Sequence, residues 1–131
     1  MTVLQLLIFM LLIHFLADFG LQTHEQATKK GEGKSLFNKW LFYHVAVYTI
    51  IWGLALLVLP LPEVQSPLIR WLFFTSYVFI THYATDWITS RMSKPFFSNG
   101  DFHNGFVVVG FDQLIHYLTL FPVLQLFTQL K

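Results

Sequence analysis

Long apolar runs alternate with short polar segments along this chain. Residues 3–22 form the first run, and its core from Leu6 to Ala17 holds a single polar side chain, His14. Further runs cover residues 37–60, 67–91 and 105–130. A helix rises 1.5 Å per residue, so about 20 residues cover the roughly 30 Å hydrocarbon core of a bilayer. The pattern therefore predicts an all-α fold: a polytopic membrane protein built as a four-transmembrane-helix bundle, in one membrane domain over residues 1–131. Pro60 and Pro62 should end the second helix, Pro67 suits a first turn, and Pro95 should stop the third helix. The short turn between helices two and three makes them antiparallel neighbours. Residues 96–104 read as a loop with an Asn99-Gly100 turn, and Pro122 as a kink in the fourth helix.

The polar interruptions follow a rule of their own. His14 and Asp18 are four residues apart, as are His82 and Asp86, and the order reverses at Asp112 and His116. Side chains at that spacing lie on one helix face, about 6 Å apart. Gln22 continues the first stripe, Gln113 sits beside Asp112, and His44 lies about two turns into the second run. A charged residue at the centre of a membrane helix costs roughly 2.5–3.5 kcal/mol. Such groups persist where they meet one another or an ion. With antiparallel helices all of them fall in one layer, about 6–17 Å from the helix ends at one face.

Composition sharpens the class. Apolar residues make up 55% and charged ones only 11%, against about a quarter in ordinary soluble domains. Fifteen Phe suit lipid-facing surfaces. A net charge of +1 with one short basic loop gives no basic face, so no nucleic-acid partner is expected. The first run lacks a basic leader and a small-x-small cleavage site, so it is not read as a cleavable signal. Gly33-Lys34-Ser35 is not a phosphate loop, because Thr28 stands where glycine is needed and no strand precedes it. Lys29, Lys30, Lys34, Lys39, Arg91 and Lys94 cluster on one side of the bundle, opposite Arg70 and Lys131. The positive-inside rule then places loops 23–36 and 92–104 in the cytoplasm and both termini outside, in a bacterial inner membrane. The basic side chains should meet anionic lipid heads.

Without cysteine, any metal must be held by imidazole and carboxylate. His14, Asp18, His82, Asp86 and His116 are the expected ligands of one or two divalent transition-metal ions, with Zn²⁺ or Mn²⁺ leading and Fe²⁺ or Ni²⁺ as alternatives. Asp112 is read as a ligand or general base, and His44 as a group that orients or donates a proton. Gln22 and Gln113 are placed to hydrogen-bond ligands or substrate. His24 and His103 read as surface histidines, although Asp101 and His103 could also form a lid. Such a centre suits a metal-dependent hydrolase acting on a lipid-linked or membrane-proximal phosphorylated or ester substrate. The alternatives are a purely hydrogen-bonded core, a small ion or metabolite transporter or proton relay, and a non-catalytic interaction protein. A homodimer is compatible with four helices of this length, though no G-x-x-x-G motif marks an interface.

The combination of His14-x-x-Ala17-Asp18-Phe19-x-Leu21-Gln22, His44, His82-x-x-x-Asp86 and Asp112-Gln113-x-x-His116 resembles the DUF3307 family, short bacterial and phage membrane proteins of unknown function. The resemblance runs through nearly the whole chain and implies the same constellation, without an activity. A more distant likeness to predicted membrane-bound metal-dependent hydrolases implies hydrolytic chemistry. The His-Arg-x-x-Thr-His-Ser motif of that group is not in this chain.

Overall fold

A computed structural model describes residues 1–59 and 66–128 of the protein. The expected Pro60/Pro62 stop, most of the turn after it, and the last residues of the fourth run lie outside the described residues.

The described residues form helices and no strand. Helix α1 covers Val3–Phe15 and passes into one π-helical stretch, Leu16–Gly20. A short α2 covers His24–Lys29, α3 covers Lys39–Val58, α4 covers Pro67–Ser98 and α5 covers Phe102–Thr128. Among the described residues three helical stretches are long and apolar enough to cross a membrane: Val3–Gly20, Lys39–Val58 and Phe102–Leu126. This corrects the expectation of four. Helix α4 is the longest of all, but Arg70, His82, Asp86, Arg91, Lys94 and its many Thr and Ser side chains dilute its apolar character.

Two further expectations are corrected at the end of α4. The helix does not stop at Pro95 but runs through it to Ser98. A proline inside a helix removes one N–H and kinks the axis without always ending it. The actual stop is a glycine cap. Gly100 takes φ +74, and Asp101 N–H returns to the Phe96 carbonyl at 2.9 Å. Helix α5 then starts at Phe102, so the expected 96–104 loop shrinks to residues 99–101.

The helices are held together at the end away from the polar layer by a dry core. Leu6, Met10, Trp52, Leu56, Phe74, Val78, Leu120 and Leu124 are all buried there. The outward faces are apolar as well: Leu4, Leu12, Phe15, Ile50, Leu57, Ile80 and Leu118 are exposed. So much exposed hydrocarbon on every long helix is the surface of a protein that meets lipid or another apolar partner.

The segment between α1 and α3 is folded onto α4. Thr23 and Gln26 form a reciprocal cap at the start of α2. The Asn38 side chain caps α3 and donates to the carbonyls of Lys29 and Glu32 at 3.0 Å each. Arg91 donates to the carbonyls of Gly33 and Ser35, Trp87 to that of Ser35, and Tyr83 to that of Leu36. Gly31 lies so close to α4 that a Cβ there would sit 2.6 Å from the Ser90 carbonyl oxygen. Gly31→Ala should therefore destabilise the protein by about 1–3 kcal/mol. Gly110→Ala, on an open face of α5 with nothing within 4 Å, should be neutral or stabilising by about 0.5–1 kcal/mol. Thermal unfolding of both variants in detergent checks the pair.

Candidate metal centre

The π-helical stretch places Asp18. Leu21 N–H reaches back five residues to the Leu16 carbonyl at 2.9 Å, widening the helix where the carboxylate turns inward. His44 enters from the second turn of α3, His82 and Asp86 from successive turns of α4, and Asp112 and His116 from the first half of α5. All of these side chains are buried, from 0 to 8% exposed, and so is His14.

Four of them converge on a point. His44 Nε2 lies 3.0 Å from Asp18 Oδ1, 3.2 Å from Asp86 Oδ2 and 3.1 Å from His82 Nε2. His82 Nε2 lies 3.5 Å from Asp18 Oδ1 and 3.7 Å from Asp86 Oδ1. An ion with tetrahedral bonds of about 2.0–2.1 Å sets its ligand atoms about 3.3–3.4 Å apart. The separations scatter around that edge length, with Asp86 offering Oδ2 to His44 and Oδ1 to His82. Among the described residues no hydrogen bond of good geometry reaches Asp18 Oδ1, although His44 Nε2 lies 3.0 Å away. A buried carboxylate oxygen left so is costly unless something else takes the lone pair. The His82 ring is fixed by stacking, with Tyr48 at 3.8 Å on one face and His116 at 4.2 Å on the other.

A second group, Asp18, Asp112 and His116, shares Asp18 with the first. Here three of the carboxylate oxygens already accept hydrogen bonds. Gln113 Nε2 donates to Asp18 Oδ2 at 2.9 Å and to Asp112 Oδ2 at 3.1 Å, and the Thr89 hydroxyl donates to Asp112 Oδ1. Gln113 Oε1 in turn accepts from His14 Nε2 at 2.7 Å, which leaves His14 Nδ1 to accept from the Tyr48 hydroxyl at 2.8 Å. One chain of hydrogen bonds thus runs from Tyr48 through His14 and Gln113 to two carboxylates. Both nitrogens of His14 are used in it, and its Nε2 is 3.5 Å from Asp18 Oδ2. His116 Nε2 lies 3.0 Å from Asp86 Oδ1 and 3.4 Å from Asp112 Oδ2.

On the open side, Lys30 reaches into the layer. Its Nζ donates to Asp86 Oδ2 at 2.7 Å and lies 3.5 Å from His44 Nε2. Burial works against its charge, but the carboxylates of Asp86 and Asp18 outweigh this and hold the ammonium above the ordinary lysine range. Gln22 donates to the Asp18 carbonyl and lies 3.2 Å from His44 Nδ1. Beside these groups a cleft of about 490 Å³ opens between the π stretch, α2, α4 and α5. Asp18, Gln22, Lys30, Thr89, Asp112 and Gln113 face it, with Phe19, Phe97, Val108 and Val109 forming an apolar wall.

The sequence profile of a family described as "Protein of unknown function (DUF3307)" matches residues 6–131. The chain belongs to the DUF3307 family. No curated protein and no solved structure matches it. The family assignment covers every residue of the centre and leaves its chemistry open.

Within this DUF3307 fold the expected residues are brought to one layer, but not to equal positions. Asp18, His44, His82 and Asp86 form the tightest group, Asp112 and His116 stand beside it, and His14, Gln22 and Gln113 surround it. His24 and His103 are exposed, away from the centre. Asp101 accepts from Asn104 at the start of α5. Lys30, Thr89 and Tyr48 were not singled out as site residues by sequence. The signal for Lys30 was Thr23-x-x-Gln26, which marks a helix start and so puts buried Gln26 and Lys30 on one face. Gln113→Leu would strand two buried carboxylate oxygens and His14 Nε2. It should cost at least about 2 kcal/mol, whereas Gln125→Leu at an exposed site should stay within about 0.5 kcal/mol. Denaturant titration in detergent micelles measures both.

Proposed function

We propose that this DUF3307 protein is a metal-dependent hydrolase of the bacterial inner membrane, acting on a phosphorylated or ester substrate at the membrane surface. The observation that carries the reading is the convergence of one ligand atom each from Asp18, His44, His82 and Asp86, all within 4.8 Å of one another. Nitrogen and oxygen donors without sulfur suit Zn²⁺ or Mn²⁺. A divalent ion there supplies Lewis acidity and lowers the pKa of a bound water.

The chain's own residues then divide the work. Asp18, His44, His82 and Asp86 hold the ion. Asp112 faces the cleft next to the ion site and takes the proton of the attacking water, with His116 against its Oδ2 and Thr89 fixing its Oδ1. His14 and Gln113 hold Asp18 in register. The apolar wall of the cleft suits the hydrocarbon part of a lipid-linked substrate. The basic 23–36 segment lies in the cytoplasm.

The site is built to open one way. The cleft lies on the side of Lys30, and the dry core of Leu6, Met10, Trp52, Phe74 and Leu124 closes the other. That arrangement favours chemistry at one face over a path through the bundle. Protein purified without chelators should carry divalent metal that the Asp18→Ala/Asp86→Ala double variant lacks, by inductively coupled plasma mass spectrometry. The same preparation in proteoliposomes should hydrolyse a phosphorylated or ester lipid probe in a metal-dependent way, and Asp112→Asn should lower that rate by at least about 100-fold. A protein that neither contains metal nor takes up added Zn²⁺ or Mn²⁺ overturns the reading.

A further inference from the structure

Two overlapping ligand groups suggest a pair of ions, but among the described residues the first brings four ligand atoms together and the second only three, sharing Asp18 with it. In the Asp18–Asp112–His116 group, the amide of Gln113 occupies Asp18 Oδ2 and Asp112 Oδ2, and Thr89 occupies Asp112 Oδ1. In the other group no hydrogen bond of good geometry reaches Asp18 Oδ1, and two imidazole Nε2 atoms face each other at 3.1 Å. Between those nitrogens there is room for at most one N–H.

Charge gives the same count. Asp18, Asp86 and Asp112 bring three negative charges into a layer where each is at most 8% exposed. An uncompensated charge at such depth costs several kcal/mol, so the layer must be close to neutral. With the imidazoles counted as neutral, one divalent ion leaves one negative charge over. Lys30 supplies the missing positive charge, with its Nζ 2.7 Å from Asp86 Oδ2 and its side chain only 16% exposed. It is not a wandering surface lysine. The neighbouring Gly31 is packed against the backbone of Ser90, and Gln26 on the same face of α2 is buried.

We propose that the centre takes a single divalent cation, held by Asp18, His44, His82 and Asp86, and that the Lys30 ammonium is its built-in second cation. The proposal rests on the metal-centre reading above and fixes its stoichiometry. Lys30 neutralises the outer oxygen of Asp86 at the mouth of the cleft, where a second ion would otherwise be drawn.

The test counts ions per chain after loading purified protein with Zn²⁺ and, separately, Mn²⁺, followed by desalting and mass spectrometry. Wild type should hold about one. Lys30→Glu removes the ammonium and adds a ligand oxygen, so it should hold about two. Lys30→Met should still hold about one but bind it at least about tenfold more tightly, because a nearby positive charge is gone. Helix content by circular dichroism confirms that each variant is folded. Two ions in wild type would overturn the proposal while leaving the metal centre standing. A folded Lys30→Glu protein that still holds one ion, or a Lys30→Met protein with unchanged or weaker affinity, would overturn it too. If Lys30→Glu does not fold, the Lys30→Met affinity decides. No ion in wild type sinks this proposal and the metal-centre reading together.

Discussion

Three carboxylates buried among apolar helices set the terms for everything else in this molecule. None can be left alone, because a desolvated charge without partners costs more than most single contacts return. Asp18, Asp86 and Asp112 come from three different helical segments, so satisfying them ties those segments together. Gln113 joins Asp18 to Asp112, Lys30 and His116 meet Asp86, and His44 lies against both Asp18 and Asp86. The rest of the architecture can be understood as what those bonds require. A π-helical stretch turns Asp18 inward, the 23–36 segment is laid on α4 so that Lys30 can reach, and Thr89 is spent on Asp112 rather than on the helix surface.

That dependence also explains which parts were legible beforehand. The pairs His14/Asp18, His82/Asp86 and Asp112/His116 could be read because helical periodicity converts a spacing of four into a shared face. The four runs could be read because hydrophobic length is local information. Lys30 could not be read from periodicity, since it acts across a fold-back that Asn38, Tyr83, Trp87, Arg91 and Gly31 help to hold in place. The distinction between His14 and His44 was equally hidden. His14 was the expected ligand and His44 the group to orient or donate a proton, yet His14 spends its two nitrogens on Tyr48 and Gln113, while His44 turns Nε2 toward Asp18 and Asp86. Pro95 misled because a proline's effect on a helix depends on tertiary support, and the glycine at 100 was the stronger stop.

Helix α4 shows how lipid-facing and site-facing demands coexist in one element. Its Ile80 and Ile88 are exposed, while His82, Thr85, Asp86 and Thr89 are buried on another face. Thr81 and Thr85 each return their hydroxyl to the carbonyl one turn back, at 2.9 Å, so the polar stripe does not leave hydroxyls stranded.

The two halves of the bundle divide stability from chemistry. The apolar half can hold the helices by packing alone, since Trp52, Phe74, Leu6 and Leu124 are fully buried there. The polar half then needs only to be satisfied, not to be strong, and hydrogen bonds between membrane helices are individually worth little, about 0.6 kcal/mol on average. This is the arrangement under which an unused lone pair on Asp18 can persist. A bundle that depended on its polar layer for cohesion would spend every donor on closing it. Here Tyr48, His14, Gln113 and Thr89 close one side, and Asp18 Oδ1 and the facing imidazoles remain directed at a common point. The structural cost of keeping that point polar is carried by the dry core, which is the physical ground for reading it as a functional site rather than as glue.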